Sequence, residues 1–135
     1  MTVIDASAVV DLLIPRDERP RDLLLAEVPE PASPWLAPDI LIFEVFSVVR
    51  RHLLRRVLPA RAATQALQRL PGLPIELVPA ASLLPAAWSL RKRFSAADSL
   101  YTALALRSAE PLLTTDLRLA RAAREVGVET RPGGM

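Results

Sequence analysis

Two stretches of this chain, VIDASAVVDLL at residues 3–13 and LLTTDLRLARAAREVG at residues 112–127, share one grammar: a short apolar run, an aspartate, then a helix-length segment. Thr2 to Ile4 reads as a β-branched strand and Ala6 to Leu13 as a helix, with Asp5 at the junction. Leu112 to Thr115 reads as a second such strand, and Asp116 opens an Arg-studded helix closed by Gly127. Strands alternating with helices imply a parallel sheet covered on both faces, which places every strand-to-helix junction on one edge. In open sheets of this kind ligands bind beyond the carboxyl ends of the strands, so both aspartates are site candidates. Each is equally a helix N-cap, because its oxygen can accept the free N–H groups of the first turn.

The intervening sequence continues the alternation. A second helical stretch is expected near Arg21 to Glu27, followed by PEPASPWLAP at residues 29–38, whose four prolines forbid helix and leave Trp35 and Leu36 as a short strand. Residues 39–56, DILIFEVFSVVRRHLLRR, have helical length with Asp39 as N-cap. Ala60 to Leu70 reads as a helix ended by Pro71 and Gly72, Ile75 to Val78 as a strand, and residues 80–93 as helix again. Ser95 to Asp98 has the S-x-x-D form of a capping box and leads into LYTALALRSA, which ends before Pro111. Val128 to Thr130 is expected as the last strand, and Pro132 to Met135 is expected to fray.

Composition narrows the function classes. A chain of 135 residues suits one compact domain better than two. Aromatics are 4%, which argues against a stacking-based RNA module, so nucleic-acid contact is expected to rest on charge. The formal net charge is +2 and the isoelectric point about 9.9, and Lys92 is the only lysine among 17 basic residues. Arginine suits bidentate phosphate contacts, although a GC-rich genome produces the same bias. The absence of cysteine excludes disulfide frameworks, zinc ribbons and thiol nucleophiles, and the single histidine, His52, reads as a surface or interface residue. No basic segment precedes the first apolar run, so a signal peptide is not expected. The longest apolar run, Ile40 to Val49, is interrupted by Glu44 and is too short to span a membrane. The expected setting is a reducing cytoplasm.

Four acids stand where they could meet. Asp5 and Asp116 share the carboxyl edge of the sheet, Asp98 begins a helix entering that edge, and Glu44 interrupts an otherwise apolar helix. Converging carboxylates raise each other's pKa unless a cation sits among them, and oxygen-only ligands point to Mg²⁺ or Mn²⁺. Such an ion activates water and neutralises charge on a phosphoryl group, a route to phosphodiester hydrolysis without His or Cys. Ser7 and Thr114, each two residues from an aspartate, could orient a ligand or water through their hydroxyls. Arg51 and Arg55 lie near the azimuth of Glu44 along a line that a phosphate backbone could follow, or else form a solvated or dimer-interface stripe. The plainer reading makes Asp5 and Asp116 caps, Asp98 half of a capping box, and Glu44 the top of a solvated stripe. Spacing alone leaves the two readings level. A phosphoacceptor domain is disfavoured because Ala6 and Ser7 follow Asp5 where one such class has a D-x-D pattern.

Four segments in order, VIDASAVVDLL, APDILIFEVFSVVRRHL, FSAADSLYTALALRSAE and LLTTDLRLARAAREVGVE, resemble the PIN-domain ribonucleases, and among these the VapC toxins of bacterial toxin–antitoxin pairs. Residues 14–34 and 57–93 fit that family only loosely. The resemblance implies a single PIN-like domain over residues 1–135, a three-layer α/β/α sandwich with a central, mainly parallel sheet. It implies Asp5, Glu44, Asp98 and Asp116 as an acidic metal-binding quartet, with Ser7 and Thr114 as supporting hydroxyls. It further implies Mg²⁺- or Mn²⁺-dependent RNA cleavage. The expected partners are an RNA substrate, a cognate antitoxin whose tail occupies the active-site groove, and a second copy in a homodimer, or a heterotetramer or larger assembly with the antitoxin. The alternative from another class is a non-catalytic PIN-like domain that binds nucleic acid or a protein partner; an intact quartet argues against it.

Overall fold

A computed structural model describes residues 1–14 and 18–132, the side chains of 18–21 excepted. Among the described residues five short strands form one sheet: β1 (Val3–Ile4), β2 (Trp35–Pro38), β3 (Ile75–Val78), β4 (Leu112–Leu113) and β5 (Thr130–Arg131), in the order β3-β2-β1-β4-β5. All four pairings are parallel. Among the described residues seven α-helices flank it: α1 (Ala6–Leu13), α2 (Glu18–Leu25), α3 (Ile40–Leu54), α4 (Ala60–Arg69), α5 (Leu84–Ser89), α6 (Ala96–Ser108) and α7 (Leu117–Glu125). The chain steps one way from β1 to β3, then crosses back to β4 and on to β5. Right-handed crossovers therefore put α1 to α4 on one face and α5 to α7 on the other. Helix contacts agree, α1 packing on α2 and α3, α3 on α4, and α5 on α6.

This topology explains the apolar runs. Strands β1 and β4 are covered on both faces, so Val3, Ile4, Leu112 and Leu113 are all buried and no polar alternation is possible. Helix α3 seats Leu41, Val45 and Val49, one residue per turn, and α6 seats Tyr101, Leu104 and Ala105. Full burial of such a side chain contributes about 1.5–3 kcal/mol, so the rotation of α3 is set by its three core residues and not by Glu44 beside them.

Several boundaries differ from the sequence reading. Asp39 does not cap α3: its backbone is helical, and its side chain accepts a hydrogen bond of 3.0 Å from the Ala80 amide across the sheet edge. The helix expected over residues 80–93 is broken. A 3₁₀ turn at Ala80–Leu83 precedes α5, whose early proline lacks an N–H, and the chain then turns through residues 90–94. The second helix begins earlier than Arg21, and the helix expected to reach Arg56 ends at Leu54, with Arg56 at positive φ. Strand β4 spans Leu112–Leu113 and stops short of Thr115, although the Thr114 amide still bonds to the Arg131 carbonyl at 2.8 Å. The last strand lies at Thr130–Arg131 and not at Val128 to Thr130, since Val128 is bonded back to α7 through Ala123. Of the end expected to fray, residues 133–135 lie outside the described residues.

Candidate active site

Helix direction reverses between β1 and β4: α1 leaves β1 on one face, and α7 leaves β4 on the other. The crevice at such a switch point is where open α/β sheets bind ligands. A cavity of about 340 Å³ opens there, lined among others by Asp5, Ser7, Asp11, Glu44, Arg51, His52, Asp98, Tyr101 and Asp116. Asp5 arrives from the end of β1, Asp116 from the β4–α7 junction, Asp98 from the first turn of α6, and Glu44 from the second turn of α3. Sequence separations of up to 111 residues are closed by the parallel sheet, which gathers all strand ends on one edge.

Asp5 is held by three donors. Its Oδ1 accepts from the Ala8 amide at 3.0 Å, capping α1, and from the Ser7 hydroxyl at 2.8 Å. Its Oδ2 accepts from the Thr114 hydroxyl at 2.7 Å and lies 3.0 Å from Ser7 Oγ. The two hydroxyls stand 3.2 Å apart and themselves accept backbone amides, Ser7 from Thr115 and Thr114 from Asp116. A hydroxyl that accepts an amide directs its own proton elsewhere, so both aim at Asp5 and lock β1 to β4. Thr114 is buried beneath the cavity and is not in its lining. Asp116 caps α7, accepting from the Arg118 and Leu119 amides at 3.0 and 3.1 Å. Capping and membership of the cavity thus coexist in the same aspartates.

Burial opposes ionisation throughout the cluster. It pushes the Asp5 carboxyl up to about 7, against the pull of Thr114, the Ala8 amide and Ser7, with the charge of Asp98 adding to the rise. Burial likewise raises Glu44, partly offset by its hydrogen bond from Tyr101. Asp98 is raised by burial and by the charge of Asp116, while Ser95 and Arg118 act the other way. The charge of Asp98 thus adds to the rise of both Asp5 and Glu44.

Tyr101, Asp11 and His52 were not foreseen in the cavity. The Tyr101 hydroxyl donates to Glu44 Oε1 at 2.6 Å, and burial together with Glu44 drives its own pKa far upward, so it remains a donor. Its signal in the sequence was spacing: it follows Asp98 by three residues on one helix and so shares its face. Asp11 stands four residues beyond Ser7. His52, expected at a surface or an interface, sits half-buried eight residues beyond Glu44, two turns along α3. Arg51 lines the cavity. Arg55 does not, because eleven residues carry it about 16 Å along the axis although its azimuth nearly repeats that of Glu44.

The donor set is oxygen-rich and anionic. Among the described residues no three His, Asp or Glu side chains stand close enough to close around a single ion in this arrangement. Oxygen-only, anionic donors are the chemistry that a hard cation such as Mg²⁺ takes, with waters filling the rest of its shell. A divalent cation would also turn the mutual repulsion centred on Asp98 into attraction.

A three-layer fold with an acid-lined cavity at this switch point defines a class, and residues 2–125 match the PIN domain family. Curated relatives are narrower in kind. Ribonuclease VapC3 of Mycobacterium tuberculosis is 38% identical over 120 residues, which cover 89% of this chain and 85% of that protein. Ribonuclease VapC1 of the same species is 36% identical over 124 residues, with 89% of each chain covered. VapC ribonuclease Mb0985 of Mycobacterium bovis is 34% identical over 120 residues, again with 89% of each covered. The chain belongs to the PIN-domain family and, within it, to the VapC ribonucleases. Among the described residues no helix is long and apolar enough to cross a membrane.

Proposed function

We propose that this protein is a metal-dependent endoribonuclease, a cytoplasmic toxin of the VapC type that hydrolyses RNA phosphodiester bonds and is restrained by a cognate antitoxin. The reading takes residues 1–135 as one PIN-like domain. The observation that carries it is the meeting of Asp5, Glu44, Asp98 and Asp116, from four segments, in one cavity at the carboxyl edge. From these four, one or two carboxylates would hold Mg²⁺ or Mn²⁺ directly and the others would face it through its waters. When bound, the ion supplies charge neutralisation at phosphorus and activation of water. The chain's own residues do the rest. Ser7, Thr114 and the Ala8 amide fix the Asp5 carboxylate in one orientation. Tyr101 holds the Glu44 carboxylate across the cleft from a helix that would otherwise leave it free to rotate. Arg51 puts positive charge beside an acidic centre that by itself repels a polyanion.

Two assemblies belong to the same proposal. Phe43, Phe46, Leu53, Leu54 and Val57 expose an apolar stripe along and just beyond α3, with Phe43 70% exposed, and a second copy of the chain covers it in a homodimer. The antitoxin's tail enters the acid-lined cavity and completes a heterotetramer or larger complex. The test is cleavage of RNA by purified protein with added Mg²⁺ or Mn²⁺. Cleavage stops in excess EDTA and in Asp5→Asn, which keeps shape and capping but not charge. Undiminished cleavage in EDTA overturns the metal-dependent reading.

A further inference from the structure

A second cavity, of about 330 Å³, lies on the other flank of the first turn of α6. Leu84, Ala87, Trp88 and Arg91 line it from α5 and the following turn, and Phe94, Ala96, Ser99 and Leu100 from the entry to α6. Asp98 of the acidic cavity stands between Ala96 and Ser99, so the two cavities share this single turn. Trp88 is 67% exposed, an unusual place for the largest apolar side chain. The Arg91 guanidinium lies over its ring, 4.5 Å from the centroid, and is pinned there by a hydrogen bond of 2.9 Å to the Trp88 carbonyl. Indole and guanidinium thus form a cation–π pair at the surface. Lys92, the chain's one lysine, is exposed beside it, and Arg93 is held by Glu125 at 3.0 Å.

We propose that this platform is an RNA subsite: an unpaired base stacks on the Trp88–Arg91 pair, and the adjoining phosphates meet Arg91 and Lys92 as the strand runs past the first turn of α6 towards Asp98. The inference rests on the ribonuclease reading and adds the place where an unpaired base is held, since bases within a duplex offer no free face. Three observations favour RNA as the occupant. Arg91, and Lys92 next to it in the chain, put positive charge at the rim of an otherwise apolar groove, which suits a polyanion. Its aromatic floor is already paired with a cation, the arrangement on which bases stack irrespective of sequence. It also adjoins the acidic cavity through one helical turn. A low aromatic content thus does not leave RNA contact to charge alone, because one well-placed indole suffices.

The experiment titrates a fluorescent, unstructured RNA oligomer into the full-length protein in EDTA, where no cleavage occurs. Trp35 is buried, so quenching of tryptophan emission by RNA reports Trp88. The subsite predicts that quenching, and predicts that Trp88→Ala weakens binding about tenfold with an unchanged salt slope. Trp88→Phe should recover most of the affinity. The pair Arg91→Ala and Lys92→Ala should instead flatten the salt dependence by about one to two ions. Wild-type affinity in Trp88→Ala, with the parent binding RNA, overturns the subsite and leaves the ribonuclease reading standing. A Trp88→Ala protein that binds RNA normally but becomes monomeric in light scattering assigns the groove to a second copy. Failure of the wild-type protein to bind the oligomer overturns the subsite, whereas the ribonuclease reading stands or falls on the cleavage assay.

Discussion

Because burial pushes the Asp5 carboxyl up to about 7 from an ordinary 3.8, the metal-free protein binds a proton there that its unfolded chain has released. Between those values the folded state carries more protons than the unfolded state. Stability from this group is therefore present near pH 4 and lost as pH rises to 7, by up to about 1.4 kcal/mol per unit. Asp5→Asn should abolish this slope, so that in EDTA it gains on the wild type by a few kcal/mol between pH 4 and 8 in urea unfolding. A constant difference across that range would contradict the burial argument. Tyr101→Phe removes the donor to Glu44 while keeping the packing of the ring. Glu44 is half-buried and regains water, so the expected cost is about 1 kcal/mol of stability. A freed Glu44 also weakens Mn²⁺ binding, by about tenfold in calorimetry. Equal metal affinity in the two proteins would reduce Tyr101 to a core residue.

At the scale of the element, α3 bears most of the decisions. One side of it is sunk in the core by Leu41, Val45 and Val49, and its flanks serve the cavity and the apolar stripe. Arg51 lines the cavity and Arg55 stands beyond its end, which separates two residues of nearly one azimuth. Arg51→Ala should lower RNA affinity and reduce the salt slope by about 0.7, the value for one single-strand phosphate contact. Arg55→Ala should change neither beyond a few tenths. Equal effects from the two substitutions in anisotropy titrations would extend the RNA path along the whole helix.

Across the whole molecule, the exposed stripe of Phe43, Phe46, Leu53, Leu54 and Val57 is too apolar to face water over so much of one helix. Light scattering at micromolar concentration should return twice the 14.8 kDa chain mass. Phe43→Arg combined with Phe46→Arg should return the single mass with the helical circular dichroism intact. A wild-type protein that is strictly monomeric would contradict the dimer. The sheet imposes a further whole-molecule property. Its five strands are two to four residues long, yet the central pair is buried on both faces, so the edge that carries the acids is anchored by the best-packed part of the fold.

Local order was legible in the sequence because it depends on neighbours within a turn or a strand. Ala6–Leu13 and Ile75–Val78 fall where the apolar pattern put them, and Asp5, Ser95 and Asp116 cap the helices they precede. The same locality explains the errors. Asp39 has the residue type of a cap but is drawn to the Ala80 amide on another segment, and the pattern over residues 80–93 does not reveal how its turns fold back. Resemblance named four acids, whereas only the fold could bring them within one cavity, through strand pairing between residues more than a hundred apart. Tyr101 reaches Glu44 across 57 positions, and Thr114 reaches Asp5 across 109. A helix period assigns each side chain an azimuth but says nothing of what stands opposite. That is decided by the order β3-β2-β1-β4-β5, whose reversal between β1 and β4 creates the crevice that the acids line.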